Sequence, residues 1–570
     1  MPKRPLSPAP LPLAKRLHVA SNADGTHSSN FPVFDGLYDE LILYIFSYLS
    51  FVDVCAAQAT NRNWSRLATD NHLWKALYVN AYGRSRLRGA RGFLGRMDGR
   101  EVKPLPIRVQ SLGPGALRQT EDEDRRDWKW MFRISSNWRR GRCNIERFSE
   151  PSPSVPVDLS STSTHEPGHV LLAGPLSIVS SLNSTRPAIR LYKRTGYGRS
   201  DLDCPPVELR CTTQLGGPAS VMTLALDQAA PSSPKSPLRL AVCLSTGEFN
   251  IFNIDHNNAS NSSQALAYVP SRRSVIIQAA YHHPLLITLS QTLRLSIFDL
   301  SQDSVTLVQT LTTCTSYPPT SFVLSNPTPT TYKLVMVFTV PVYPSHWSIA
   351  ATELVIAGYS DKPNSISLLP PSPSLSVDSF AEPMTVTTSR TVRALDVPQG
   401  WIDEQKLRAM REQWSRKVNF VAQTQTDGKW VILAPGADPT VANVGEAQSS
   451  FASPAVNSPT TLQLYRLHFP TTSPRTGRPS LQSPKLTFVR YLHGQTSPVC
   501  ALALADGRCV SLGTNGCIWV WDLENGTGAE VAPPLPHAES HAMESGAVVF
   551  DDRRIVTTHR DGIVIRRFDV

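Results

Sequence analysis

The stretch HGQTSPVCALALADGRCVSLGTNGCIWVWD, residues 493–522, decides how most of this 570-residue chain is read. Apolar runs at 499–504, 510–513 and 518–522 are joined by Asp506-Gly507 and Asn515-Gly516. Both dipeptides accept the positive φ angles of tight hairpin turns, so the runs form an antiparallel meander. A meander of this length cannot bury both of its faces alone, and copies of it should stack on one another.

Working outward, the same pattern of short alternating runs about a turn recurs at 553–570, 285–300 and 240–254. Residues 178–193, 332–358 and 430–467 supply further candidates. Counted with the first, these make seven blades of a β-propeller, inside the four to eight that such rings use. The last copy stops at a third strand, 563–568, which would leave an unpaired edge. Upstream, Cys143-Asn144-Ile145-Glu146-Arg147-Phe148 alternates suitably and is expected to supply the missing strand and close the ring. Composition agrees with strands and turns over long solvated helices: 47 prolines in 570 residues is about 8% against a usual ~5%, and 18% charged residues is low against ~25%. Ser/Pro-rich stretches at 231–237, 370–376, 449–459 and 472–484 suit loops between strands. Their Ser-Pro pairs read as turn chemistry, with proline-directed phosphorylation the alternative.

The repeat at 493–522 resembles a WD repeat. The resemblance implies a structural hydrogen-bonded tetrad of His493, Ser511, Trp521 and, where the family has aspartate, Asn515. The His-Gly order at 493–494 inverts the family's Gly-His.

Between residues 31 and 83 the period changes from two to 3.6. Leu37, Leu41, Ile45 and Leu49 recur at four-residue steps, with Ile42 and Phe46 beside them, giving a broad apolar stripe. Ser50 with Asp53 reads as a capping box that starts a second helix. A third lies around Trp64 and Leu67, and Asp70 caps a fourth carrying Leu73, Trp74, Leu77 and Tyr78. A unit of roughly 50 residues seldom buries enough surface to stand alone, so it should lean on a partner or a neighbouring domain. The run LYDELILYIFSYL at 37–49, with Asn61-Arg62-Asn63-Trp64 and Leu73-Trp74 after it, resembles an F-box; Tyr38 stands where the family has proline. A further helix is expected at 127–141, with Trp128, Met131 and Phe132 on one face. Its Asn137-Trp138-Arg139-Arg140-Gly141 resembles the N-W-x-x-G linker between F-box and propeller in F-box/WD-repeat proteins.

Several chemistries are looked for and not found. The nine cysteines are scattered and never in C-x-x-C spacing, which argues against a zinc or disulfide framework and for a reducing compartment. His165-Glu166-Pro167-Gly168-His169 matches H-E-x-x-H, but Pro-Gly between the histidines forbids the helix that would put both on one metal. It reads as a loop before the first blade. There is no G-x-x-x-x-G-K-[ST] loop and no G-x-S-x-G elbow. The net charge of +10 is modest for this length, and the Arg-rich stretch 84–108 lacks the interleaved aromatics of a nucleic-acid surface. Residues 401–418 place Leu407, Met410 and Trp414 at helical steps, and this inserted helix is expected to pack on the ring, with contact to a substrate the alternative. Without a signal peptide or an 18-residue apolar run, the chain is expected to be soluble and cytoplasmic, nuclear or both.

The expected fold class is therefore multidomain, α plus all-β: a tail (1–30), a small F-box helical domain (31–83), a basic and helical linker (84–142) and a seven-bladed WD-repeat-like propeller (143–570). The resemblance implies a non-catalytic substrate-recognition subunit of a Skp–cullin–F-box (SCF) ubiquitin ligase. By that resemblance Leu37, Tyr38, Glu40, Leu41, Ile45, Phe46 and Leu49 dock on a Skp-type adaptor, cullin and RING subunit follow indirectly, and the propeller holds a protein substrate, phosphorylated in many family members. No cofactor, metal, membrane or nucleic-acid partner is expected. The alternative is a propeller scaffold outside any ligase, which Tyr38 in the proline position favours. Family propellers often use arginines, and Arg190, Arg294 and Arg566 fall near the expected inner strands.

Overall fold

The computed structural model describes residues 37–83, 127–148 and 168–570, the last without 174–175, 182–185, 194–205, 230–236, 256–257, 302–303, 313–316, 329–330, 343–344, 358–383, 396–399, 437–457, 470–483, 506, 535–545 and 560–561. The N-terminal tail, the Arg-rich stretch, His165 to Pro167 and most of the Ser/Pro-rich stretches named above lie outside the described residues. The chain divides into two compact units, Met1–Leu73 and Trp74–Val570.

In the first unit, α1 (Asp39–Tyr48), α2 (Phe51–Gln58) and α3 (Arg62–Leu67) follow one another through capped turns. Ser50 Oγ accepts from the Asp53 amide at 3.3 Å and donates to the Asp53 carboxylate at 2.7 Å, which starts α2 as the capping box predicts. Asn61 Oδ1 accepts from the Trp64 amide at 2.8 Å and starts α3. The core is small: Ile42 and Phe46 of α1 with Val54, Ala57, Leu67 and Ala68. Phe46 and Trp64 meet edge-on with ring centres 5.6 Å apart. Helix α4 (Asn71–Tyr78) begins at Asp70, whose carboxylate accepts from the amides of His72 and Leu73.

The second unit opens on the rest of α4 and on α5 (Trp128–Arg140). Asp127 Oδ1 caps α5 through the Trp130 amide at 2.9 Å, and Gly141 ends it at φ +66°, where a Cβ would lie 2.6 Å from the Glu530 carbonyl oxygen. Only glycine suits that position. The first turns of α5 pack Phe132 on Trp74 and Tyr82, and Trp128 on Tyr78, with ring centres 5.2–5.5 Å apart. Its last turns face the ring: Trp138 stacks on Phe568 at 4.0 Å, its indole N–H donates to the Asp552 carbonyl, and Asn137 donates to the Phe568 carbonyl.

Seven four-stranded antiparallel sheets follow, and each of the seven segments read from the sequence falls in its own sheet. Their first strands are Val170–Ala173, Val221–Leu226, Ile276–His282, Pro319–Thr328, Val421–Thr426, Val499–Ala505 and Ala547–Phe550. Each neighbours the next and the last meets the first, so they line the centre of a closed ring. The seventh blade is completed by Asn144–Phe148, which pairs antiparallel with Gly562–Arg567 from Asn144 opposite Arg567 to Phe148 opposite Ile563. Arg567 holds Glu146 at 3.0 Å across that seam. Arg554, buried, reaches from the seventh blade to the Leu176 carbonyl and the Ser177 hydroxyl of the first.

The inserted helix is present as α6 (Glu404–Trp414), capped by Asp403, between the fourth and fifth sheets. The expectation that it packs on the ring is met only towards its C-terminal end, where Met410 and Trp414 are half-buried; Leu407 is exposed and no residue of the helix is fully buried.

Deleting residues 143–148 strips the seventh blade of its outer strand and cuts the direct path from α5 into the ring. The melting temperature should fall by several degrees, since each kcal/mol moves a domain of this size by about 1 °C. An unchanged calorimetric melt would show that the ring holds without this strand.

Candidate functional site

Two surfaces carry functional potential, and the first is α1. Its stripe is wider than the core beneath it. Ile42 and Phe46 face inward, while Tyr38 (61% exposed), Leu41 (49%) and Ile45 (46%) stand in solvent. Glu40 is also exposed, and Leu37 and Leu49 are half-buried. Phe46 departs from the expected docking set: buried at 2% and packed on Trp64, it belongs to the core and offers a partner no surface. Sequence reasoning missed Tyr44, Tyr48 and Val52, all exposed. On α1 positions 41, 44, 45 and 48 follow the three-to-four-residue spacing, which was the available signal, while Val52 stands on α2 beyond the break at 49–50. Tyr48 Oη donates to Tyr44 Oη at 2.6 Å, and that bond raises the Tyr48 phenol above its ordinary pKa. Contiguous exposed aliphatic and aromatic side chains of this kind mark interaction surfaces.

The second surface is the propeller, where the expected tetrad is corrected. Trp521 Nε1 donates to Ser511 Oγ at 3.1 Å, and Ser511 donates to Gln495 Oε1 at 2.9 Å. Gln495, buried, takes the place assigned to His493, which is exposed and has its Nδ1 3.5 Å from the Thr461 hydroxyl. Gly494 stands between the two side chains: it lies at φ +143° beneath Trp519, whose ring would be 2.6 Å from a Cβ, and the residue after it, Gln495, is the buried one. Gly494-Gln495 thus keeps the family's Gly-His order, the signal that the inverted reading overlooked. Asn515 stands apart from the chain of bonds, accepting from Ser497 at 2.7 Å and donating to Thr496. Gln495→Ala leaves the Ser511 hydroxyl buried without its acceptor and should cost about 1–3 kcal/mol. His493→Ala should stay within about 0.5 kcal/mol. Denaturant melts of the two variants check the order; equal losses would restore the histidine.

The second blade ties its turn to the preceding connection with a charge. Glu248, buried, accepts from the Gln214 and Leu215 amides at 2.7 and 3.0 Å and from the Thr246 hydroxyl at 2.6 Å. Burial pushes its carboxyl up, but the Thr246 hydroxyl, the two amides and Arg273 outweigh it and leave it below the ordinary value. A lowered carboxyl contributes stability above its unfolded pKa and loses it as pH falls through the folded one. Glu248→Gln should therefore destabilise the chain at pH 7, with the gap to wild type closing in acid below about pH 4. A gap that is flat with pH would remove the charge from the account.

Several thiols of the ring are kept neutral. Burial pushes Cys211, Cys243 and Cys500 up to about 12, so these thiols are poor nucleophiles. Among the described residues no set of three or more His, Cys, Asp or Glu is grouped to hold a metal. The arginines do not fall on inner strands: Arg190 and Arg566 lie on third strands of their blades, and Arg294 in the turn before one.

An F-box-like domain followed by a seven-bladed β-propeller is thus the architecture of this chain. Residues 38–80 match the F-box-like family, and residues 208–369 match the family described as F-box protein pof12 beta-propeller. Over 127 residues the chain is 28% identical to an F-box protein of Saccharomyces cerevisiae, covering 22% of this chain and 19% of that protein. Over 115 residues it is 29% identical to the probable E3 ubiquitin ligase complex SCF subunit sconB of Arthroderma otae, covering 19% and 17%. The chain therefore spans less than a fifth of the length of the curated relatives it matches. The C-terminal WD40 domain of Sif2 overlays 70% of this chain and 82% of its own at 10% identity with a TM-score of 0.33, so the blade count rests on the strand pairing above. One of these relatives is thus named as an F-box protein and the other as a probable SCF subunit.

Proposed function

We propose that this chain is the substrate-recognition subunit of an SCF-type ubiquitin ligase in the cytoplasm or nucleus. The observation that carries the reading is the half-covered stripe of α1, in a segment matching F-box-like domains, joined in one chain to a closed propeller. The exposed α1 face, Tyr38, Leu41 and Ile45 with Tyr48 and Val52 beside them, docks on a Skp-type adaptor. Cullin and RING subunit are reached only through that adaptor.

The propeller holds the protein substrate. Ubiquitin transfer is then carried out by the conjugating enzyme on the RING subunit, and this chain contributes proximity: it turns a bimolecular encounter into a local one. No side chain of this chain needs to touch the reacting carbonyl.

The test is adaptor co-purification. Leu41→Asp with Ile45→Asp should lower adaptor recovery at least tenfold, because two charges would be desolvated in the interface, and should leave the propeller melt unchanged. Retained adaptor with both substitutions refutes the docking face. Wild-type chain that fails to bind any Skp-type adaptor refutes the ligase reading and leaves the scaffold, which Tyr38 in the proline position favours.

A further inference from the structure

Strand order fixes what stands on each rim of the ring. In an antiparallel meander the turn between second and third strands lies at the same end as the connection to the next blade's first strand. Residues 394–420, between Thr385–Arg393 and Val421–Thr426, form such a connection and carry α6 on that rim. Their base is well anchored. Trp347 and Val418 exchange two backbone bonds of 2.7 and 3.0 Å, Gln463 donates to the Arg416 carbonyl, and the Arg416 guanidinium lies 4.2 Å over Phe488.

Above that base the segment stands in water. Trp401 is 87% exposed, Ile402 42% and Leu407 39%. The Lys406 ammonium donates to the Trp401 carbonyl at 2.9 Å, which brings the Trp401 backbone against the first turn of α6 near Leu407. The helix is thus held by its C-terminal end and presents an apolar patch at the other.

Charge states what would cover it. Lys406, Arg408 and Arg411 lie in the turns around Leu407. Of the described acidic residues in the segment, Asp403 is used in capping the helix and Glu412 is paired with Arg416; Glu404 lies 3.8 Å from Arg408 with both side chains over 80% exposed. On the same rim Arg272, Arg273, Arg294 and Arg393 are exposed, while Glu248 is buried and bonded. A bulky apolar anchor ringed by cations is complementary to apolar residues flanked by carboxylates. Ile402 and Leu407 offer nothing to a phosphate.

We propose that the Trp401–Ile402–Leu407 patch docks an acidic linear segment of a partner protein, one or two bulky apolar residues flanked by Asp or Glu, without need of phosphorylation. The inference rests on the propeller's being the substrate-holding surface and names the class of segment it holds there.

The experiment displays random unmodified 12-residue peptides to the full chain, with counter-selection on Trp401→Ala/Leu407→Glu. The enriched peptides should be acidic with an apolar anchor, bind wild type at least tenfold more tightly than the double variant, weaken with added salt, and lose affinity severalfold on Arg411→Glu. Melting curves of both variants should match wild type, since the altered side chains are exposed. Overturning results are enrichment of neutral or basic peptides, equal binding to the double variant, binding gained only when the peptides are phosphorylated, or co-sedimentation with phosphatidylserine vesicles that the double variant alone loses. Peptide binding that persists while the Skp-type adaptor fails to bind would sink the ligase reading and keep this one. Adaptor binding with no discrimination at Trp401 would do the reverse.

Discussion

The ring depends on one pairing between distant parts of the chain, Asn144–Phe148 against Gly562–Arg567. The other six sheets are each built from consecutive strands, so their loop-closure cost is small. The seventh must bring together segments more than 400 residues apart, and its reward is the removal of the ring's open seam. The neighbouring contacts act at the same place: Trp138 on Phe568, Asn137 on the Phe568 carbonyl, Arg567 on Glu146 and Arg554 into the first blade. Because α5 directly precedes the closing strand, the aromatic contacts it makes with Trp74 and Tyr78 are tied to the closure itself.

What was legible in the sequence is what local chemistry decides. Asp-Gly and Asn-Gly turns between alternating runs marked the hairpins of the clearest copy, and Ser50 and Asp70 started helices from their own side chains. The closing strand was legible by elimination, since the last copy lacked a partner and one alternating run stood unassigned. What was not legible depends on what lies across the fold. Periodicity shows that α1 and α6 each have a stripe, but only packing shows that Trp64 covers Phe46 and leaves Leu41 open, or that α6 has partial cover. That Gln495 and not His493 is the buried one shows only in the fold, where Gly494 passes beneath Trp519.

The same limit applies to buried charge. Glu353 is 3% exposed and sits opposite Arg390, with Lys333 on the other neighbouring strand forming an ion pair with it. Three charges on three strands look like surface positions when read singly. Brought together, the two partly exposed cations compensate the buried Glu353 carboxylate in the fourth blade, so removing Glu353's cations would leave a buried charge unpaired. Low charge content therefore does not mean a ring without charge; part of the small complement is spent inside, where it fixes which strands pair.

The two open apolar faces are alike in pattern and opposite in field. Helix α1 carries Glu40 and an Asp39 paired with Arg66 at 2.7 Å in its first turn and no basic residue in its last, whereas the patch at the start of α6 is ringed by Lys406, Arg408 and Arg411. Apolar area alone would let either face take either partner, since the hydrophobic effect is not directional. Charge supplies the discrimination: an acidic segment suited to Trp401 and Leu407 meets like charge at the start of α1, and a surface suited to α1 gains nothing from the cations of α6. On the proposed reading, in which each face takes its own partner, the charges around the two faces keep one partner from competing for the other's face.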